Sequence, residues 1–450
     1  MDHFNADRAS YNNYLATNES LRAEAYSLAP DASSKLMLDK SKDVPEFSSC
    51  SEPSDQWKMF YQNEWNSIKQ SYIDPSALKD WDKWEHKFDS QLCTMQDMDT
   101  AIKLMAQSLH NQWTQYSTAA EQSEKEQFES EGNVASGMEL SPFSKDYKLE
   151  FMHYGSPAQQ SELREGDLLR SINGIPLRNQ SIIEAKRLAS GEAGEDVEIE
   201  YERNGQVHTT KITLAKTPEP VVEGELLKDD IAHVRLPDFN GEIRLENFLA
   251  KIRELRQQTK NGLNGFILDL RNDPGGDFPN AVSLSSMFLP DDNMEIATSY
   301  VRANDPSNFG AMREQRNKVV PLDELRINHL PVERKLVEEL KHVKMAVLVN
   351  GSSVSASELF TGSMQDNHRA TIIGTQTFGK GVGYRTEHLP SGGILKITAL
   401  KYLTPAGRDI NGKGITPDKL VEDDAKTKID EQLEAAWQDV EEQRRINKNG

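Results

Sequence analysis

Apolar residues change their spacing along the chain, and each pattern predicts a different kind of structure. From Trp57 to Tyr116 they recur at helical intervals in a stretch rich in tryptophan. Aromatic side chains at helical spacing usually form a core, so we predict a helical domain over residues 57–130, ending in a charged helix or linker. Residues 1–56 are polar and predict an N-terminal arm with one short helix around residues 18–29.

Residues 131–217 show short β-like runs separated by Gly and Asn-Gly turns, which is typical of a small β-rich domain. One helical stretch lies within it at residues 181–191. From residue 218 to 424, strand-like runs alternate with helical segments, which predicts an α/β fold with a mostly parallel sheet. Functional groups in such folds lie in the loops that follow the strands. Residues 425–450 predict a charged C-terminal helix.

Composition and charge narrow the class of protein. The chain has 450 residues, enough for two or three domains, and a net charge of −20 from 52 basic and 72 acidic residues. This acidity argues against nucleic acid as a partner and against electrostatic docking to anionic membranes.

Cys50 and Cys93 have no metal-ligand neighbours, and a disulfide and two free thiols both stay open. The first residues lack a basic segment followed by an apolar run, so we expect no signal peptide and no transmembrane helix in the chain as given.

The segment with the clearest chemistry runs from Val349 to Tyr384. A strand-like run ends there and a serine-rich turn opens a helix, with Ser355 at or near its N-terminus. Unpaired backbone N–H groups and the helix dipole stabilise negative charge at such a position, as a nucleophilic hydroxyl and its oxyanion require, and the N–H of Ala356 is the natural first donor. Ser355 and Glu358 also fit a capping box, which by itself accounts for a serine here. The two roles are compatible.

Lys380 follows in the segment T-F-G-K-G. A lysine acts as a general base only when it is neutral, which requires burial or a nearby positive charge to lower its pKa from about 10.4. The apolar and glycine flanks favour burial, although a lysine taken alone is more often a surface residue. A serine and a lysine together form a known nucleophile–base pair that needs no histidine.

Several segments in this order and spacing resemble the C-terminal processing peptidases, also called tail-specific proteases. Along the chain they are D-L-R-N-D-P-G-G, with Asp273 in place of the family's asparagine, then S-V-S-A-S-E-L, M-Q-D-N-H-R-A, T-F-G-K-G and G-K-G-I-T-P-D. The stretch from Tyr154 to Leu177 resembles the family's PDZ core. The resemblance covers about residues 57–423. It implies a multidomain protein whose α/β core, of the crotonase or ClpP-like type, carries an inserted PDZ domain and a helical N-terminal region.

By position, the resemblance assigns the nucleophile to Ser355 and the general base to Lys380. It passes over the neighbouring Ser352, Ser353 and Ser357. It also implies that the backbone N–H of Gly275 or Gly276 is a second oxyanion donor beside that of Ala356.

Two further positions carry less weight. Many family members have a glutamine four residues after the lysine, proposed to orient it; that position is Tyr384 here, so a third member of the site at Tyr384 stays open. For Asp366 we expect a structural role near the site, with Arg369 as a candidate ion-pair partner.

PDZ domains bind a peptide C-terminus as an added strand, and backbone N–H groups receive its carboxylate. The candidate carboxylate loop here contains Gly137, Met138, Glu139 and Leu140. Glu139 would repel a bound carboxylate if its side chain turned inward. The alternative is that the PDZ domain acts chiefly as a lid or gate over the active site.

The resemblance therefore implies a serine endopeptidase that cuts proteins or peptides selected by their free C-terminal tails, without a metal or other cofactor. It also implies an extracytoplasmic location such as the periplasm. Two alternatives stay open. One is a catalytically impaired adaptor that binds tails, which is favoured by Tyr384 standing where the family has a glutamine. The other is a crotonase-type enzyme acting on acyl thioesters. An activating or adaptor protein is a candidate partner, and the N-terminal arm and C-terminal helix are candidates for homo-oligomer contacts.

Overall fold

A computed structural model of the protein describes residues 47–130, 134–143, 146–178, 180–302, 312–327, 330–422 and 429–449. The short helix predicted around residues 18–29 lies outside these residues. None of the helices described contains an apolar stretch of membrane-spanning length.

The tryptophan-rich region forms helices, as its apolar spacing predicts. They are α1 (Asp55–Ser71), α2 (Asp82–Glu85), α3 (Met95–Gln107) and α4 (Ala119–Ser130), with a 3₁₀ turn at Pro75–Leu78 and a short strand β1 (Gln115–Ser117). Helix α1 buries one face, which includes Tyr61, Trp65 and Ile68. Helix α3 begins at a capping box, because the Thr94 hydroxyl accepts the N–H of Asp97 while the Asp97 carboxylate accepts the N–H of Thr94.

The next region is a β-rich domain with a core of its own. Its elements are β2 (Val134–Ala135), β3 (Met138–Phe143), β4 (Asp146–Met152), β5 (Leu168–Ile172), β6 (Ile175–Pro176), α5 (Ile182–Leu188), β7 (Ser190–Gly191), β8 (Asp196–Arg203) and β9 (Gln206–Thr213). Strands β3, β4, β5, β8 and β9 form an antiparallel sheet in that order. Strand β8 alternates as expected for a sheet with one covered face, with Val197, Ile199 and Tyr201 buried.

The remaining residues form the predicted α/β core. Its strands are β10 (Glu223–Leu227), β11 (Ile231–Arg235), β12 (Gly265–Asp269), β13 (Glu295–Arg302), β14 (Met312–Lys318), β15 (Arg326–Ile327), β16 (Leu330–Pro331), β17 (Lys344–Val349), β18 (Thr371–Gly374), β19 (Val382–His388), β20 (Ile394–Leu403) and β21 (Lys419–Leu420). Its helices are α6 (Glu242–Gln257), α7 (Phe278–Phe288), α8 (Arg334–His342), α9 (Ala356–Asp366) and α10 (Glu431–Asn449), with a 3₁₀ turn at Lys228–Asp230.

The main sheet of this core is mostly parallel, which confirms the prediction. Its order is β10-β11-β12-β17-β18-β21, and β10 alone runs antiparallel to its neighbour. Helices α6 to α9 pack in one hydrophobic cluster with the sheet, and α10 packs in a second cluster that includes Ile267 and Val440. The sheet therefore lies between two helical layers, as a buried parallel sheet requires.

A second sheet, which the sequence pattern did not predict, joins the helical region to the core. Its order is β1-β20-β13-β14, with β19 paired to the hairpin strand β20. Gln115 of β1 pairs with Lys396 of β20, and Leu395 and Ile397 share a hydrophobic cluster with the helices. Pairing between residues so far apart leaves no local signal in the sequence. The helical region is therefore packed against the segment that follows Lys380.

Cys50 and Cys93 form a disulfide across a sequence separation of 43 residues. Because a cross-link of this span reduces the entropy of the unfolded chain, we predict that reducing it lowers the free energy of unfolding by about 3 kcal/mol. Denaturant titration of oxidised and reduced protein measures this. The Cys50→Ser/Cys93→Ser double variant should lose the same amount and become insensitive to reductant, whereas equal stability of both redox forms would contradict the prediction.

Candidate active site

Ser355 lies in a sharp turn between β17 and α9. Its φ of 59° and ψ of −110° are unusual for a residue with a side chain, so the surrounding contacts must hold this backbone. The preceding N–H, of Val354, donates to the carbonyl oxygen of Asp273 at 2.9 Å, and the Tyr402 hydroxyl lies 2.8 Å from the carbonyl oxygen of Ser355. The turn is thus fixed from two sides, at the N-terminal end of a helix where the dipole favours negative charge.

Ser355 is also the accessible member of its serine cluster. Ser352, Ser353 and Ser357 are fully buried, whereas Ser355 is half-buried. The three buried hydroxyls donate, respectively, to the Glu165 carboxylate and to the carbonyl oxygens of Leu270 and Asp273. Of the four hydroxyls, that of Ser355 is the one the fold leaves within reach of a substrate.

A buried carboxylate joins the Ser355 turn to the Lys380 segment. Glu358 is 0 % exposed, and its Oε2 accepts the N–H groups of Ser355 at 2.9 Å and of Lys380 at 2.8 Å. Its Oε1 accepts the Thr377 hydroxyl at 2.6 Å and the Gly379 N–H at 2.7 Å. Burial raises the pKa of Glu358, while these donors oppose the rise; four donors match the ionised form, which only accepts. The predicted capping box is confirmed for the Ser355 N–H, and the reach of Glu358 to Lys380 was not foreseen.

The glycine-rich turn lies directly against Ser355. A Cβ added at Gly275, whose φ is 89°, would lie 2.9 Å from both the Ala356 nitrogen and the Ser355 Cβ, so only glycine permits this approach. The Gly275 N–H is already bound, at 2.8 Å, to Oδ1 of Asp273. Gly276 is exposed, and neither its N–H nor that of Ala356 has an acceptor in the described residues. Of the two glycines, Gly276 is therefore the better candidate for a second oxyanion donor.

Lys380 lies against aromatic rings. Its Nζ is 4.4 Å from the ring centroid of Trp113 and 5.0 Å from that of Tyr384. Over the part of the chain that the structure describes, this ammonium group has no hydrogen bond or ion pair. Burial lowers the pKa of Lys380, the positive charge of Lys396 lowers it further, and Glu358 raises it. The rings favour the ammonium form, so the lowered pKa comes from burial and from Lys396.

Tyr384 contacts the lysine through its ring face. Lys396 Nζ lies 5.1 Å from the centroid of the same ring, so two lysines share one aromatic partner. Tyr384 is 45 % exposed. The orienting hydrogen bond expected of a glutamine is replaced here by a cation–π contact.

Two residues near the site were missed by sequence reasoning. Trp113 reaches Lys380 because β1 pairs with β20, and its ring packs 6.2 Å from that of Phe378. Tyr402, almost fully buried, has its hydroxyl 3.0 Å from the Lys380 carbonyl oxygen as well as 2.8 Å from that of Ser355. No local pattern marks Trp113; Tyr402 stands in the strand predicted after Lys380, but nothing there indicated its bonds.

The expected partner of Asp366 was wrong. Asp366 pairs with Arg408 and accepts the Ala406 N–H at 2.9 Å, which ties the end of α9 to the loop after β20. Arg369 instead donates to the carbonyl oxygens of Phe288, Leu340 and Val343. Its planar guanidinium satisfies backbone acceptors at helix ends, where no carboxylate is needed.

The candidate carboxylate loop of the β-rich domain begins at Gly137, and its other residues, Met138 to Leu140, form the first part of β3. Gly137 has a φ of 82°, and an added Cβ would lie 2.1 Å from the Cβ of Ser156. Glu139 accepts from Lys186 of α5 at 2.8 Å and lies 3.2 Å from His153 Nε2. Burial by itself would raise the pKa of Glu139, but Lys186 and His153 outweigh it and lower this pKa to about 2. Its charge is compensated within the domain, so the repulsion that an inward-turned Glu139 would exert is reduced.

The β-rich domain contacts the core next to Ser355. The Tyr154 ring centroid lies 3.1 Å from the guanidinium carbon of Arg235, and Glu165 accepts from Ser352. A movement of this domain would therefore disturb residues beside the Ser355 turn. The described residues contain no group of three or more potential metal ligands.

Comparisons with known proteins find two matching families. Residues 230–421 match Peptidase family S41, and residues 152–203 match the PDZ domain. Two staphylococcal proteins named "Probable CtpA-like serine protease" align with 72% of the chain, at 28% identity over 323 residues in Staphylococcus haemolyticus and 29% over 325 residues in Staphylococcus saprophyticus. The chain covers 60% of the length of each of these relatives.

A solved structure titled "Photosystem II D1 C-terminal processing protease" has a TM-score of 0.64 to this chain at 23% sequence identity. The match covers 82% of this chain and 94% of that one. At this identity the match establishes a shared fold.

The central position of Glu358 predicts a large effect of Glu358→Gln. The amide would direct N–H groups at backbone N–H donors and leave buried groups unsatisfied, so we expect the free energy of unfolding to fall by about 3 kcal/mol. Denaturant unfolding measures this. The exposed Glu338→Gln on α8 is the matched control and should change stability by less than about 0.5 kcal/mol. Equal effects of the two variants would show that Glu358 does not hold the segments together.

Proposed function

The chain belongs to the C-terminal processing peptidases of family S41, and we propose that it is a serine endopeptidase in which Ser355 is the nucleophile and Lys380 the general base. One observation carries this proposal. A single buried carboxylate, Glu358, binds the backbone N–H groups of both residues. Among the described residues, the N–H groups of Gly276 in the glycine-rich turn and of Ala356 after Ser355 have no acceptor, as an oxyanion site needs.

The proposed reaction has two steps. Neutral Lys380 takes the proton of the Ser355 hydroxyl as its Oγ attacks the scissile carbonyl carbon, and the N–H groups of Ala356 and Gly276 stabilise the oxyanion. The lysine then gives its proton to the leaving amine, which departs and leaves an acyl ester on Ser355. Lys380 then takes a proton from a water molecule as it attacks the ester carbonyl carbon. The bond between that carbon and Ser355 Oγ breaks, and Lys380 returns the proton to Oγ as the acid product leaves.

The resting contacts add one requirement to this mechanism. Lys380 Nζ lies against the Trp113 ring and has no hydrogen-bond partner in the described structure. We therefore propose that substrate binding moves the amine from the ring towards Ser355, a side-chain movement that leaves the Lys380 backbone on Glu358. The domain contacts through Glu165 and Tyr154 offer a route by which the PDZ domain influences this step.

Substrates are proposed to be proteins or peptides with free C-terminal tails. Strand β3 lies at the edge of the PDZ sheet, where an added peptide strand could pair, and the Gly137 turn precedes it. The disulfide between Cys50 and Cys93 favours an oxidising, extracytoplasmic compartment. The periplasm is such a compartment.

A tail-binding adaptor without activity is the second candidate. The ring contact of Tyr384 and the absence of a hydrogen bond on Lys380 Nζ, among the residues described, favour it. An adaptor would bind a free-tailed peptide and leave it uncut. No contact among the described residues favours a thioester-processing enzyme.

We predict that Ser355→Ala and Lys380→Ala each lower peptidase turnover by about 10⁴-fold or more, because each removes one half of the nucleophile–base pair. An unstructured substrate with an apolar free C-terminus, followed by mass spectrometry of the products, measures this. The exposed Lys413→Ala should retain wild-type turnover. Wild-type protein that binds the tail without cutting it would support the adaptor, and a fully active Lys380→Ala would refute the proposed base.

The environment of Lys380 also predicts the pH dependence of turnover. A base acts when deprotonated, so activity should rise with pH through the lowered pKa of Lys380. Lys396→Met removes a positive charge that lowers this pKa, so the rising limb should move to higher pH, while Lys396→Arg should leave it in place. A rising limb that Lys396→Met does not move would contradict this electrostatic role.

A further inference from the structure

Asp273 occupies a fully enclosed position under the glycine-rich turn. It is 0 % exposed, and its Oδ1 accepts the Gly275 N–H at 2.8 Å. Its Oδ2 has no hydrogen-bond partner in the described residues. The backbone carbonyl of Asp273 accepts from the Val354 N–H at 2.9 Å and from the Ser357 hydroxyl at 3.1 Å. Asp273 therefore contacts both sides of the candidate oxyanion site.

The charges around Asp273 do not neutralise a carboxylate. Asp238, in the loop after β11, adds negative charge. Arg235, at the end of β11, has its guanidinium stacked on the Tyr154 ring, and its Nε and Nη2 make no hydrogen bond in the described residues. From α9 the contact is the uncharged Ser357, and the carboxylate of the next residue, Glu358, is bound by the Lys380 segment.

Burial is the largest influence on Asp273 and raises its pKa well above the ordinary value of a carboxyl group, and Asp238 raises it further. The Gly275 N–H, the Ser357 hydroxyl and Arg235 act in the opposite direction. Burying a carboxylate with one bound oxygen and no ion pair costs far more than burying the neutral acid, which carries no charge to desolvate.

We propose that Asp273 is a positioning residue that works as a neutral carboxylic acid, holding the Gly275–Gly276 turn against Ser355 without placing a negative charge beside the developing oxyanion. The neutral acid has the shape of the asparagine in the family pattern, with one oxygen accepting the Gly275 N–H. Ionised Asp273 would repel the oxyanion at short range in a medium of low dielectric constant. The catalytic part of this inference rests on the proposed peptidase function.

The first test measures stability and is independent of activity. In the unfolded chain an aspartic acid ionises above a pH of about 4, whereas Asp273 in the fold keeps its proton. Residue 273 therefore lowers the stability of the wild type as pH rises, and an asparagine at this position makes no such contribution. The ratio of the wild-type to the variant unfolding constant should therefore rise by about tenfold per pH unit from pH 4 towards neutral. A variant that is less stable than wild type at neutral pH, with the deficit shrinking towards acid, would overturn the proposal.

Asp269→Asn is the matched control for this measurement. Asp269 is equally buried but pairs with Arg271 at 2.7 Å and with His233, and these partners lower its pKa despite burial. The Asp269 carboxylate stabilises the fold at pH values above the pKa that this group has in the unfolded chain. This stabilisation is lost as pH falls and the carboxylate takes up a proton. Asp269→Asn should thus show the opposite sign, with the largest loss of stability at neutral pH.

Infrared spectroscopy and activity complete the test. The wild-type minus Asp273→Asn spectrum at neutral pH should contain the carbonyl band of a protonated carboxyl group, and its absence would overturn the proposal.

Peptidase activity of the wild type should fall by about tenfold per pH unit on the alkaline side, with no such fall in Asp273→Asn. A folded Asp273→Asn that is inactive at every pH, or that keeps the alkaline fall, would also overturn it. A wild type without peptidase activity would refute the proposed function alone, because stability and infrared data report on Asp273 directly.

Discussion

Four hydrogen bonds to the carboxylate of Glu358 hold together the two chain segments that form the candidate site. The carboxylate is fully buried and has no cationic partner among the described residues, so its charge is balanced by the N–H groups of the two loops and the N-terminal end of α9. Since each bond has an ideal length for a charged acceptor, small displacements of either segment weaken several bonds together. The backbone of Ser355, at a positive φ, depends on this network to stay in place.

The parallel sheet is what brings these segments to one edge. The Gly275 turn follows β12, the Ser355 turn follows β17, and the Lys380 segment follows β18; these three strands are adjacent and parallel. Their carboxyl ends therefore meet, as in other α/β folds where sites form outside the strand ends. The second sheet then adds Trp113 and Tyr402 from elements that are remote in sequence. The site thus combines loops of one sheet with side chains supplied by another.

Local patterns predicted much of this arrangement. Helical spacing indicated α1 and α3, alternation indicated the β-rich domain, and the switch to strand–helix alternation indicated the parallel core. Family motifs added the candidate roles of Ser355 and Lys380. The pairing of β1 with β20, the reach of Glu358 to the Lys380 segment and the ring contacts of Lys380 depend on residues brought together only by folding, and no local spacing encodes them. The choice between Gly275 and Gly276 likewise required knowing where each N–H is directed.

The central claim is that Lys380 activates Ser355 for covalent catalysis, and trapping the acyl-enzyme tests it most directly. Rapid acid quench of wild-type protein with a slowly hydrolysed peptide ester, followed by peptide mapping, should find one acyl adduct, on Ser355, formed far more slowly in Lys380→Ala. An adduct on another residue, or one formed at the same rate without the lysine, would contradict the account.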